Sequence, residues 1–322
     1  MIIVTGGAGF IGSNIIYSLN KIGINNILIV DDLTDGNKLF NISDLDFKDY
    51  IDKDDFLEFI NKNYNFGNIE VVFHQGACST TTEWDGKYLM KNNFEYSKKV
   101  MEWCQRIKAQ FIYASSASVY GLGKSGFKEN RNNENPINAY AFSKFIFDQY
   151  IRKVSENLES QVVSLRYFNV FGPREEHKKK MASTIFHFNN QLLKKNKCNL
   201  FEGTDGYENG EQRRDFVYVE DCSNVNLWFM KNREKSGIFN VGTGISRSFN
   251  DVANAIISWH KIRRVDSNAS ISYIPFPSEL KNAYQSFTEA NISKLRLIGY
   301  DQEFHSLEDG INKYLDWMNK LN

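Results

Sequence analysis

Proline is scarce, four residues in 322, which leaves no room for a proline-rich linker or an array of polyproline turns. Cysteine is equally scarce. The four residues, Cys78, Cys104, Cys198 and Cys222, form no CxxC pair, so a disulfide-stapled scaffold and a zinc ribbon are excluded and reduced thiols are expected. Net charge is missing altogether, because 39 lysines and arginines cancel 39 aspartates and glutamates; no global field draws the chain to nucleic acid or anionic lipid. No stretch approaches the roughly 20 consecutive apolar residues of a membrane helix. The opening Met1-Ile2-Ile3-Val4-Thr5 has neither the basic region nor the cleavage site of a secretory signal. These absences lead to the expectation of a cytoplasmic enzyme or binding protein with no nucleic-acid, membrane or metal partner.

What is present is apolar and aromatic. With 42% hydrophobic and 14% aromatic residues the chain can bury a sizeable core, and at roughly 100–200 residues per domain its length corresponds to about two domains. Short apolar runs recur at Ile2-Ile3-Val4, Ile27 to Val30, Val71-Val72-Phe73, Phe111-Ile112-Tyr113 and Val162 to Leu165. Each is bounded by polar residues, as strands buried on both faces are, and the segments Tyr88 to Ile107 and Tyr140 to Val154 are long enough for crossover helices. The expected fold class is α/β: a doubly wound parallel (Rossmann) sheet with a smaller, discontinuous α/β substrate lobe. The boundaries expected are 1–169 plus 214–245 for the Rossmann domain and 170–213 plus 246–322 for the smaller lobe. Phe216 to Val219, the helix-like Cys222 to Met230 and Ile238 to Val241 read as late additions to the same sheet.

Gly6-Gly7-Ala8-Gly9-Phe10-Ile11-Gly12 satisfies both GxGxxG and GxxGxxG. Its context carries more weight than the pattern. The glycines follow a strand and open a helix, where missing Cβ atoms let the backbone approach a pyrophosphate lying at the helix N-terminus; the alternative is a tight turn that binds nothing. About 20 residues on, Asp31 ends the second strand, where a carboxylate accepts hydrogen bonds from an adenosine ribose and favours NAD. Lys38 and Lys53 pull the other way, toward the 2′-phosphate of NADP.

Tyr140-x-x-x-Lys144 places two side chains on one face of a helix. The same spacing occurs at Tyr17–Lys21 and Tyr120–Lys124, but only Tyr140 opens a long helix downstream of a strand ending in Ser115-Ser116-Ala117. Removing hydride from a carbinol carbon requires a base for the hydroxyl proton, and an ordinary tyrosine, pKa about 10, is a poor one. A neighbouring Lys144 ammonium favours the phenolate, with Ser116 either orienting the substrate oxygen or capping the following turn.

Together with Arg214-Asp215-Phe216-Val217-Tyr218-Val219, these motifs resemble the extended short-chain dehydrogenase/reductases that act on nucleotide sugars. His74-Gln75-Gly76-Ala77-Cys78-Ser79-Thr80-Thr81, Glu83-Trp84-Asp85-Gly86-Lys87-Tyr88, Arg166 to Glu175 and Leu200-Phe201-Glu202-Gly203 narrow the resemblance to the ADP-heptose 6-epimerase branch, over almost the whole chain. The resemblance implies inversion of C6″ of an ADP-activated heptose, a precursor of the lipopolysaccharide core. Oxidation to a transient ketone is followed by re-reduction, with tightly bound NADP, or NAD as the alternative, recycled at each turnover. It implies Tyr140, Lys144 and Ser116 as catalytic residues, with Lys178 of the His177-Lys178 segment as a second acid/base; the other reading of Lys178 is a loop cation on substrate phosphate. Cofactor contacts are implied for Gly6, Gly9, Phe10, Ile11, Gly12, Asp31, Asp32, Lys38, Lys53, Gln75, Gly76, Ala77, Cys78, Ser79, Asn92, Lys144, Val170 and Lys178. Substrate contacts are implied for Asn169, Lys180, His187, Phe201, Glu202, Gly203, Thr204, Arg214 and Tyr284, and the family implies a homo-oligomer, typically a pentamer.

The chain departs from the family pattern at Gln75, which replaces a usual glutamate, and at Lys179-Lys180, which replace small residues. If these side chains converged, their charge would lower the pKa of Lys178. The loop from Thr204 to Arg213 also looks longer than usual. Two rivals share parts of the pattern: a UDP-sugar 4-epimerase, and a dinucleotide-binding sensor that has lost catalysis.

Overall fold

A computed structural model describes residues 1–263, 268–277 and 284–320. Seven parallel strands form the central sheet, in the order Gly237–Val241, Val162–Tyr167, Gln110–Ser116, Val71–His74, Ile2–Thr5, Ile27–Asp31, Asp49–Asp52. Strands such as Ile2–Thr5, Ile27–Asp31 and Val71–His74 are buried at every residue, because helices cover both faces and polar alternation would leave unpaired groups in the core. Side chains of one strand part to the two faces. Ile2 and Val4 join Ile15, Leu19 and Val225 on one side, while Ile3 joins Val72, Trp103 and Phe147 on the other.

Strand order reverses between Ile2–Thr5 and Val71–His74, and an open α/β sheet has its ligand crevice outside the carboxyl ends of strands at such a switch point. Gly6 and Gln75 are the first residues beyond those two ends. Helix Phe10–Lys21 packs against helix Val219–Lys231 beside this crevice.

A third apolar cluster joins helices Thr184–Lys195, Phe249–Arg263 and Leu307–Met318. It lies with the parallel strand pair Lys197–Phe201 and Ser270–Ile274. Phe216–Tyr218 is a strand, as expected, but not part of the main sheet: it pairs in parallel with Asn169–Phe171 in a separate two-stranded sheet. The reason is geometric. Gly237–Val241 already occupies the edge beside Val162–Tyr167, and Phe216, Tyr218 and Val219 are drawn into the third cluster with Phe171. Strand Asp49–Asp52, partly exposed and polar, has no apolar run to announce it.

Candidate active site

The crevice floor is built from glycine. Gly6 adopts φ +65°, and a Cβ there would lie 2.6 Å from the backbone nitrogen of Gly76; one on Gly12 would lie 2.1 Å from the Gly6 carbonyl oxygen. These close approaches keep the two loops together at the start of helix Phe10–Lys21, leaving its first amides for a negatively charged group. Asp31 lines the crevice and also makes hydrogen bonds within the protein. Its Oδ2 accepts from Ala8 N at 2.8 Å, and its Oδ1 accepts from Asp32 N at 2.7 Å and from Lys38 Nζ at 2.8 Å. The carboxylate therefore braces the glycine loop. Lys53 Nζ donates to Asp32 Oδ2 at 2.9 Å; together with hydrogen bonds from Thr34 this holds Asp32 far below the usual carboxylate range.

A pocket continues from this floor. Asp31, Asp32, Lys38, Lys53, Gly76, Ala77, Cys78 and Asn92 line it together with Thr5, Val30, Tyr88 and Tyr96, four residues that motif reading missed. Tyr88 ends the Glu83 to Tyr88 stretch but was not read as a pocket residue, and no short motif marks Tyr96. The run Gly86–Leu89 to Tyr96–Arg106 contains a π-helical turn, Met90–Glu95, a deviation that recurs at functional sites. Asn93 in that turn donates to the Cys78 carbonyl at 3.0 Å and to Ser143 Oγ at 2.9 Å, and it accepts from Cys78 N at 2.8 Å. One side chain thus ties the pocket wall to the helix that carries Tyr140.

That helix, Ala139–Val154, is capped by Asn138, whose Oδ1 accepts from Ala141 N. Tyr140 and Lys144 are both buried. Burial raises the Tyr140 pKa and a hydrogen bond with Ser116 opposes it. Burial lowers Lys144 to about 8, against the pull of Asp148 and Cys78, while its Nζ donates to the Ala114 carbonyl at 2.9 Å. Ser116 Oγ also accepts from Ser118 N at 3.2 Å and caps the turn Ala117–Tyr120, the second of the two roles considered for it. Behind the pair, Asp148 accepts hydrogen bonds from Tyr113, Ser115, Ser164 and Arg166. Arg166, fully buried, also meets Glu134.

Lys178, Lys179 and Lys180 separate cleanly. Lys178 is half-buried, with Nζ 5.1 Å from the Phe10 ring centroid. Lys179 turns outward, 69% exposed, toward Asp35 at 3.4 Å, and Lys180 is exposed, its carbonyl 3.4 Å from His187 Nε2. The three side chains do not converge. The Lys178 pKa is lowered by burial, and the Glu175 carboxylate opposes that shift.

A second group lies around Arg214, a buried guanidinium 4.7 Å from the Tyr284 ring and 5.6 Å from Phe249. Tyr284 meets Phe276 edge-on, and Phe276 meets Phe201; Phe249 and Phe276 carried no sequence signal. The loop beyond Phe201 folds back on itself, with Gly203 N donating to Asn209 and the Glu202 carbonyl accepting from Gln212. Tyr207 N closes a turn on the Thr204 carbonyl. Asn169 Oδ1 accepts from Thr288 at 3.3 Å. Val170 and Ile11 pack where two apolar clusters meet, whereas Ser79 is exposed.

A glycine cradle stands at the switch point, and a tyrosine–lysine pair on helix Ala139–Val154 stands beside the strand end at Ser116; comparison with known proteins places this arrangement in a family. The family model described as NAD dependent epimerase/dehydratase matches residues 2–242. The chain belongs to that family. Among its relatives, the ADP-L-glycero-D-manno-heptose-6-epimerase of Alkalilimnicola ehrlichii is 52% identical over 316 residues, covering 98% of this chain and 97% of the relative. The crystal structure of the enzyme of that name from Helicobacter pylori superposes with TM-score 0.84 at 31% identity, over 99% of this chain and 96% of the other. A UDP-N-acetylglucosamine 4-epimerase from Methanobrevibacter ruminantium reaches the same TM-score at 25% identity, over 100% and 98%, so the fold does not discriminate between sugars. No helix among the described residues of this epimerase is long and apolar enough to cross a membrane.

Proposed function

We propose that this epimerase inverts C6″ of ADP-D-glycero-D-manno-heptose, giving the L-glycero epimer, with NADP as its resident cofactor. The observation that carries the reading is the pairing of two proton-handling groups with one glycine cradle: Tyr140 beside Lys144 and Ser116, and Lys178 over Phe10 at the start of the cradle's helix. Inversion takes hydride from one face of C6″ and returns it to the other, so the proton on its oxygen is removed and restored in two orientations, which a single fixed base serves poorly. The 52% identity to the A. ehrlichii enzyme supports the ADP-heptose as substrate.

The residues present fit a dinucleotide. Gly6 and Gly12 let the loop close on its own backbone and on Gly76, an approach that any Cβ there would block, and Gln75 keeps a buried Oε1 with no hydrogen-bond partner among the described residues. Gly6, Gly9, Phe10, Ile11 and Gly12 would hold the pyrophosphate, Asn92 and the segment from Gln75 to Ser79 would flank it, and Lys38 and Lys53 favour NADP by facing cations toward the ribose end. When bound, the dinucleotide supplies a reversible store for one hydride. Tyr140 handles the substrate hydroxyl proton, Lys144 holds positive charge beside it, Ser116 orients the oxygen, and Lys178 serves the opposite face. Arg214, with Tyr284 and the Phe201 to Thr204 segment, would grip the ADP moiety through paired guanidinium–phosphate hydrogen bonds; Asn169, Lys180 and His187 would line the sugar.

Incubation with ADP-D-glycero-D-manno-heptose and, separately, with UDP-galactose tests the reading. Epimerisation of the first alone is expected, without solvent deuterium appearing at C6″ when the reaction runs in deuterated water. Turnover of the UDP-sugar alone would overturn it, and binding without turnover would revive the sensor. The nucleotide released on denaturation identifies the cofactor. The reading also carries the two-lobe division at 169/170, 213/214 and 245/246, a cytoplasmic homo-oligomer, pentameric by family resemblance, and a role in supplying the lipopolysaccharide core.

A further inference from the structure

Lys178 sits in a loop whose backbone is unusual on either side of it. Arg174 has φ +72° and Lys179 φ +53°, left-handed conformations that residues with a Cβ hold only where their surroundings over-determine them. At its base the loop is closed by Glu175, which accepts from Ser183 N and Ser183 Oγ, both at 2.6 Å. Its outer part is tied to a distant segment. Asn41, buried at the end of the turn Gly36–Asn41 that also carries Lys38, makes three contacts. Its Nδ2 donates to the Ala8 carbonyl at 2.9 Å and to His177 Nδ1 at 2.9 Å, and its backbone carbonyl accepts from Arg174 Nη1 at 2.6 Å. His177 can accept because burial and the charges of Lys38 and Lys178 hold its pKa down to about 4, leaving the ring neutral. Ala8 belongs to the glycine loop, and His177 immediately precedes Lys178.

We propose that Asn41 is a positioning residue for Lys178, locating its ammonium against the glycine loop through the hydrogen bond to His177. The proposal rests on the two-base reading above, and the test separates the two. Displacing a reacting group by about 1 Å can cost on the order of 100-fold in rate, so Asn41→Leu should impair the face served by Lys178 and spare the face served by Tyr140.

The measurement is single-turnover reduction of the bound dinucleotide by each purified ADP-heptose epimer. Lys178→Met first shows which epimer depends on Lys178; equal rates for the two epimers there would overturn the two-base reading and this proposal with it. Given that asymmetry, Asn41→Leu is expected to slow the same epimer at least about 10-fold, leave the other unchanged, and speed hydrogen exchange at the amides of 176–182. Loss with both epimers alike, or with neither, overturns the positioning role alone. His177→Phe, which removes the acceptor from the other side, should reproduce the asymmetry, and His177→Gln, which restores one, should relieve it. Should Asn41→Leu fail to fold, this His177 pair decides by the same criterion.

Discussion

The two proton-handling groups of the site are held in opposite ways. Tyr140 stands on a 16-residue helix whose inner face is locked by Asp148, Arg166 and their hydroxyl partners, so its place follows from regular geometry and a buried charge network. Lys178 stands on a short loop with two left-handed residues, kept in place by hydrogen bonds to Asn41, Asp44 and Ser183, two to each. A helix needs only its own periodicity to align Tyr140 with Lys144. The loop needs partners more than 100 residues away, as in Asn41 and His177. One site therefore joins a rigid element to an imposed one, and the two should fail differently.

The sharpest way to break the contrast is to remove the arginine on each side. Arg166→Met leaves Asp148 buried without its cation, and Glu134 paired with Arg152, and should lower unfolding stability by about 3–5 kcal/mol. Arg174→Met leaves Asp44, which is largely exposed, and the Asn41 carbonyl; its expected cost is about 1.5–3 kcal/mol, that of a hydrogen bond to a charged group. Urea denaturation of both variants reads the ordering, and equal losses would remove the distinction drawn between the two supports. Next in size, Tyr140→Phe should cut turnover by at least about 100-fold with the dinucleotide retained. Near-normal epimerisation by that variant would leave Tyr140 without a role.

The smallest effect is with pH, and its two signs differ. As pH rises through about 8, Lys144 loses the charge that favours the phenolate, so turnover should decline. Stability should move the other way. The folded pKa lies below the ordinary lysine value of 10.5; between about 8 and 10.5 the unfolded chain therefore holds a proton that the folded chain has released, and unfolding free energy rises with pH. Lys144→Met should abolish the first trend, read in a pH–rate profile, and weaken the second, read in Tm against pH, to the part that the lowered Lys178 and Lys294 contribute. A turnover profile of Lys144→Met that still fell near pH 8 would assign the titration to another group.

Much of this was legible along the chain because it depends on local pattern. Doubly apolar runs mark the buried strands, three glycines after the first mark the cradle, and four-residue spacing puts Tyr140 and Lys144 on one helical face. What was not legible shares a cause. Phe216–Tyr218 has the composition of a sheet strand, yet which edge it joins is decided by competition with Gly237–Val241. Asp31 stands out by its spacing, but nothing along the chain announces that its carboxylate also braces Ala8, Asp32 and Lys38. Three consecutive lysines look equivalent until the loop's left-handed turns send one over Phe10, one toward Asp35 and one to solvent.

By itself the sequence determined the strands, the crossover helices, the phosphate-binding turn and the tyrosine–lysine pair, since each is set by interactions within a few residues or by the period of burial. Only the tertiary structure decided which lysine faces the crevice, that Asn93 and Asn41 tie its walls together, and that Arg214 is walled by Tyr284 and Phe249. Those contacts join segments far apart along the chain, and they exist only once long-range packing has overcome the entropy of bringing the segments together.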